Sequence, residues 1–145
     1  MTDKIDMTKY KIGSAINFYM KYNVRNKTHE DMIVNKEVLQ QQIRNIRMAF
    51  EMGDNEATKI IHETIADKCN DEDIFFEYVR ALVNWHFYLS YYISKEDYEF
   101  CAELRDVIFI EKIETEFMLI HHFPESEYID EIQPTLEEVR KMFNV

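Results

Sequence analysis

Glycine and proline are nearly missing, with two of each in 145 residues. All-β folds need turn residues every ~8–12 positions, and phosphate-cradling loops need glycines grouped within a few residues. Gly13 and Gly53, far apart in the chain, supply neither. A sandwich, a barrel, a Rossmann domain and a P-loop enzyme are thereby excluded. Cysteine is equally scarce: Cys69 and Cys101 stand alone, with no CxxC and no Cys/His cluster. One disulfide stays arithmetically open, but two such thiols read as small buried apolar residues of a cytoplasmic protein. No run approaches the ~18–20 apolar residues of a membrane span, and the polar start MTDKIDMTKYK shows no secretory signal.

What is there suits a helical globule. Hydrophobic residues make up 46% and charged residues 31%, and 14% aromatics with eight methionines supply a core. The length fits one domain over 1–145. Apolar residues recur at helical spacing throughout. Tyr10, Ile12, Ala15, Ile16, Tyr19 and Met20 outline a face over 8–23, followed by a polar connector over 24–34. Leu39, Ile43, Ile46 and Phe50 predict a helix over 36–52, stopped by Gly53 as a left-handed cap. Asp54 or Asn55 caps the next, carried by Ala57, Ile60, Ile61 and Ile65 to about residue 68. Asn70 to Asp73 read as a turn and an acid-rich helix start. Over 74–93, Phe75, Val79, Leu82, His86, Leu89 and Ile93 form one line, which Tyr78, Trp85 and Tyr92 widen into the stripe of a central helix. Ser94 to Asp97 resemble a capping box opening a long helix over 95–120. Its apolar face shifts from Tyr98, Cys101, Leu104 and Ile108 to Phe109, Ile113, Phe117 and Ile120, which predicts a bend or a change of neighbours. Pro124 ends it, and Pro134 and Thr135 open a last short helix carrying Leu136, Val139 and Phe143. The expected fold is all-α, a compact bundle of five to six helices.

The net charge of −11 is unevenly placed. Residues 1–50 carry nine Lys/Arg against five Asp/Glu, residues 51–94 three against nine, and residues 95–131 three against twelve. Three readings fit this placement: acids that coat solvated helix faces, a docking surface for a basic protein, or mimicry of nucleic-acid phosphates. Three basic residues and many apolar positions interrupt the acidic stretch, which argues against mimicry. Direct nucleic-acid binding is not expected. Lys9, Lys11, Lys21, Arg25 and Lys27 alternate with Tyr10, Tyr19 and Tyr22, but an acidic protein repels the phosphate backbone.

No catalytic constellation stands out. There is no GxSxG or HExxH, and no histidine has a glutamate three residues before it, the spacing used by di-iron bundles. Glu96, Glu99, Glu103 and Asp106 superficially resemble the magnesium acids of all-α pyrophosphohydrolases, but those pairs need two helices and these share one. Adjacent His121 and His122 read as residues of a helix end, and His86 as a core histidine satisfied by a hydrogen bond. No metal or cofactor is assigned, and the chain is not expected to be an enzyme.

Residues 97–108, Asp-Tyr-Glu-Phe-Cys-Ala-Glu-Leu-Arg-Asp-Val-Ile, resemble the second arm of the UVR motif, the helical hairpin of the UvrB and UvrC excision-repair proteins. Tyr98, Glu99, Ala102, Leu104, Arg105, Asp106 and Ile108 carry the match, while Cys101 stands where the family has alanine. The likeness extends at most over ~80–112, with an upstream arm more aromatic than the family's. It implies a protein–protein contact element with no catalysis of its own, in which Cys101 and Ala102 admit a close antiparallel helix. The expected function is therefore binding of another protein, as an adaptor, anti-factor or virus- or phage-type regulator. Glu99, Glu103, Asp106, Glu114 and Glu116 are the residues expected to meet a basic partner, and a homo-oligomer is compatible with this. Alternatives are a nucleic-acid-mimicking inhibitor of a DNA- or RNA-binding protein, and a metal-dependent helical enzyme using His86 with carboxylates of neighbouring helices.

Overall fold

A computed structural model describes residues 36–52 and 56–145. The helix expected over 8–23, the connector over 24–34, the Gly53 stop and the Asp54 or Asn55 cap lie outside the described residues. Five α-helices follow in order: α1 (Lys36–Met52), α2 (Glu56–Lys68), α3 (Asp71–Ser94), α4 (Tyr98–His122) and α5 (Ile132–Phe143). A single 3-10 stretch, Glu127–Glu131, precedes α5, and no strand occurs among the described residues. The all-α bundle is thus the fold. No described helix is long and apolar enough to cross a membrane.

α3 is the axis of the molecule. Asn70 caps it reciprocally: its side chain accepts the Asp73 amide at 2.8 Å, and the Asp73 carboxylate accepts the Asn70 amide at 3.2 Å. These bonds satisfy amides that helix geometry leaves without partners, so the helix starts at Asp71, three residues before the apolar run. Twelve of its side chains are buried, among them the whole line from Phe75 to Leu89, with Ile93 half-buried at the end. α4 folds back along α3, α5 packs on α3 from another side, and α1 lies against α4. α1 buries Leu39 and Ile43 and half-buries Ile46 and Phe50.

The turn between α3 and α4 differs from the expected capping box. Ser94 is the last residue of α3, and its hydroxyl donates back to the Tyr91 carbonyl. The Asp97 amide then donates to the Tyr92 carbonyl and the Glu96 amide to the Ile93 carbonyl, both at 3.0 Å. This paired bonding closes a helix with one left-handed residue. That residue is Glu96, at φ 58°. Asp97 caps α4 instead, accepting the Phe100 amide, and it also pairs with Lys36 at the start of α1. The Ser-x-x-Asp spacing is present, but its serine completes the preceding helix. A side chain at a left-handed position carries a cost of roughly 1 kcal/mol that glycine avoids. Glu96→Gly is therefore expected to raise stability by about 0.5–1 kcal/mol in urea unfolding, and a loss would mean that the glutamate side chain itself holds the turn.

α5 starts at Ile132, two residues earlier than Pro134 suggests. Proline is tolerated there because the first-turn amides have no helical acceptor. Thr135 is fully buried and donates to the Glu131 carbonyl at 2.6 Å, while Val139 enters the core and Leu136 and Phe143 pack half-buried against it.

Two faces read as buried in the sequence are not. In α2, no described side chain is buried, and Ile60, Ile61 and Ile65 point outward. In α4, Cys101, Leu104 and Ile108 are buried as expected, but Tyr98 is 61% exposed and Ala102 also faces out. The second line fares no better, with Phe109 57%, Phe117 39% and Ile120 49% exposed. The buried residues of this half are Ile110, Thr115, Met118 and Leu119. The core-facing side therefore runs nearly straight along α4, and the second apolar line lies on its outer surface.

Candidate functional site

α4 presents two different sides. Its inner side meets α3 through Leu104, Val107, Ile108 and Leu119. Its outer side is acidic in the first half and apolar in the second. At 100° per residue, Glu99, Glu103, Asp106 and Glu114 fall within an arc of about 80°, whereas Glu116 lies outside that arc, about 80° from Asp106 and about 160° from Glu114. The five acids expected to act together thus divide into a group of four and an outlier, because Glu114 and Glu116 are two residues apart and a helix turns neighbours at that spacing away from each other.

Their surroundings differ as well. Glu99 and Asp106 are exposed and Glu103 is half-buried, and none forms an ion pair among the described residues. Glu114 is held by His62 Nε2 of α2 at 3.3 Å, and Glu116 is paired with Lys112 one turn earlier on α4. Beside Asp106, a hollow of about 240 Å³ opens between α1 and α4, lined by Arg47, Phe50, Glu51, Phe109 and Ile110. Phe117 lies between two imidazoles, with ring centroids 5.4 Å from His62 and 4.2 Å from His121.

One carboxylate that the sequence reading left aside proves unusual. Glu111 projects toward α3, within the arc otherwise occupied by buried residues of α4. Burial pushes its carboxyl above the ordinary glutamate range; the Trp85 indole, which donates to it, and nearby Arg80 act in the opposite direction, while Glu114 adds to the rise. Two clefts meet at this residue. One of about 480 Å³ runs between α1, α3 and α4, past Gln42, Asn84 and Tyr88; the other, of about 460 Å³, lies under α2, past His62, Cys69 and Tyr78. Asn84 Oδ1 is buried there without a hydrogen-bond partner. A glutamate inside an acid-rich helix gives no sequence signal of its own; the clue was its spacing, four residues from Val107 and from Thr115.

The four described histidines lie on α2, α3 and α4. His86 is 1% exposed, and since a carbonyl can only accept, its Nδ1 donates to the Leu82 carbonyl at 2.8 Å. Its ring stacks on Phe143, with centroids 6.3 Å apart. Burial drives its pKa down to about 4, the Leu82 bond opposes this, and Arg140 reinforces it. His121 and His122 occupy the last turn of α4. Among the described residues no three His, Cys, Asp or Glu side chains stand close enough to hold a metal ion. Cys69 and Cys101 are free thiols, the second fully buried against α3. No protein-family profile, curated protein or solved structure matches the chain.

Proposed function

We propose that this protein works by binding another protein, whose basic surface meets the acidic first half of the outer side of α4. The observation that supports this is the placement of Glu99, Glu103 and Asp106 on one side of a rigid helix, with no cation paired to them among the described residues. Carboxylates left in this state repel one another, and a complementary cationic surface relieves that repulsion while steering the encounter. The resemblance of residues 97–108 to the UVR arm supports the same reading, since that family uses its hairpin for protein contact. In this reading the chain is an adaptor, an anti-factor or a regulator of the virus or phage type, and it catalyses no reaction.

Affinity capture from the native cell, followed by calorimetry on the captured protein, tests it. Glu99→Lys, Glu103→Lys and Asp106→Lys together are expected to weaken binding at least tenfold, about 1.4 kcal/mol. Raising salt from 0.1 to 0.5 M is expected to weaken the wild-type complex in the same sense. A partner retained undiminished by the triple variant would overturn the assignment.

A further inference from the structure

The cleft between α1, α3 and α4 brings side chains of three helices to Glu111. α1 packs chiefly on α4, and the gap left toward α3 is the hollow of about 480 Å³. Arg80, Asn84 and Tyr88 stand four residues apart on α3, with Ala81 and Trp85 beside them, so one side of that helix forms a wall. Val38, Leu39 and Gln42 of α1 form a second, and Glu111 of α4 completes the enclosure. Leu39, Trp85 and Tyr88 belong to the main core, so these walls are held in place by packing. Concave sites of ~300–1,000 Å³ with apolar walls and a few polar groups are the kind that hold small molecules.

We propose that this cleft binds a small organic cation, an amidinium or primary ammonium on an apolar body, whose N–H groups donate to Glu111 and to Asn84 Oδ1. Both protein groups are acceptors. Asn84 Oδ1 is buried without a hydrogen-bond partner, a state that folded proteins avoid. Glu111 accepts the Trp85 indole N–H, which leaves further lone pairs on its carboxylate, and burial still raises its carboxyl above the ordinary range. Among the lining residues Arg80 alone is cationic, and it does not cancel that rise. Its Nε and Nη2 donate to Glu77, so its charge is shared. A cation with several N–H groups supplies both what Asn84 lacks and the counter-charge that Glu111 lacks. The aromatic rings of Trp85 and Tyr88 favour a cation over a neutral group as well.

Other occupants fit less well. An anion would face the Glu111 carboxylate and the Asn84 acceptor together, and an apolar molecule would leave Asn84 Oδ1 without a donor. A bridging water satisfies Asn84 but brings no charge to Glu111. The cleft is also separate from the acidic outer side of α4. At 100° per residue, Glu111 lies about 140° from Asp106 and about 120° from Glu99, so ligand binding here does not rest on the partner reading.

Trp85 is the chain's single tryptophan, so its indole N–H resonance reports on the cleft directly. Benzamidinium added to the full chain at pH 7 is expected to shift that resonance saturably, with a dissociation constant below about 1 mM. Benzamide, its neutral isostere, is expected to bind at least tenfold more weakly. Glu111→Gln keeps an acceptor for the indole but removes the charge, and is expected to lower benzamidinium affinity at least tenfold. Asn84→Leu removes the unpartnered acceptor, which the fold tolerates, and is expected to lower the affinity at least threefold. The variant with lysine substituted at Glu99, Glu103 and Asp106 is expected to bind benzamidinium like the wild type, so the two assignments fail separately. No saturable shift up to about 10 mM, equal binding of benzamide, or an affinity that ignores both cleft substitutions would each overturn the proposal. So would tenfold tighter binding of the peptide Gly-Arg-Gly, which would place the cation on a partner protein's side chain.

Discussion

Leu104→Ala is expected to lower the free energy of unfolding by about 3–4 kcal/mol, with a fall in Tm of roughly 10–15 °C. Leu104 has no exposed surface and belongs to the main core with Leu82, Val79 and Cys101, all likewise at 0%. Truncation there removes buried methyl groups and leaves a cavity that two packed helices cannot close without shifting. The loss is a large part of the ~5–15 kcal/mol that holds a domain of this size together. Phe109→Ala, five residues along the same helix, removes a larger side chain and is expected to cost the described core under about 0.5 kcal/mol. Urea unfolding of the two variants beside the wild type makes the comparison. Equal losses would mean that Phe109 is as well buried as Leu104, contrary to its 57% exposure.

The second large effect is a pH dependence centred on His86. Its pKa falls from 6.5 to about 4 on folding because the imidazole is buried, with Arg140 adding to the effect and the Leu82 carbonyl opposing it. Above pH 6.5 neither state binds the proton. Between pH 6.5 and 4 the unfolded chain binds it and the folded chain does not, so stability falls as the pH is lowered. Across that window the loss amounts to up to about 3 kcal/mol. Two carboxylates titrate nearby with opposite signs. Asp97, held down chiefly by its hydrogen bond from Lys36, loses its contribution as the pH falls, whereas Glu111, raised by burial, favours the folded state as it takes up a proton. The difference between wild type and His86→Phe isolates the histidine. The phenyl ring keeps the stacking on Phe143, and the Leu82 carbonyl retains its helical bond from the amide of residue 86. Guanidinium unfolding from pH 7 to 4 is expected to give a clearly flatter curve for the variant. Parallel curves would show that the folded protein accepts a proton at His86 without penalty.

Much of the fold was legible because its signals are local. The 4-3-4 spacing in α1, the Asn70–Asp73 start of α3 and the broad apolar stripe from Phe75 to Leu89 depend on residues a few positions apart, and the helices form where these signals lie. The Ser94 cap was misread for an equally local reason. A left-handed glutamate closes α3 where glycine is usual, so the boundary moved by three residues. The candidate site was less legible. Four of the five acids on α4 share a side, as their spacing dictates, but their exposure follows from where α1 and α2 lie. Glu111 could not be told from its acidic neighbours until α3 was placed against it, bringing Trp85 within hydrogen-bond reach.

The scarcity of glycine and proline, the helical periodicity and the capping residues by themselves determined that this chain is an all-α bundle with α3 at its centre. Periodicity reports which residues share a side of a helix, because that follows from 100° per residue alone. It does not report which side is buried when a helix carries two apolar lines. On α4, packing decided this: α3 and α5 cover Leu104, Val107 and Leu119, while Phe109, Phe117 and Ile120 face out. The same holds for α2, whose isoleucines read as core residues and whose packing leaves them outside. Burial depends on what stands opposite a side chain, and that is settled only when the helices meet.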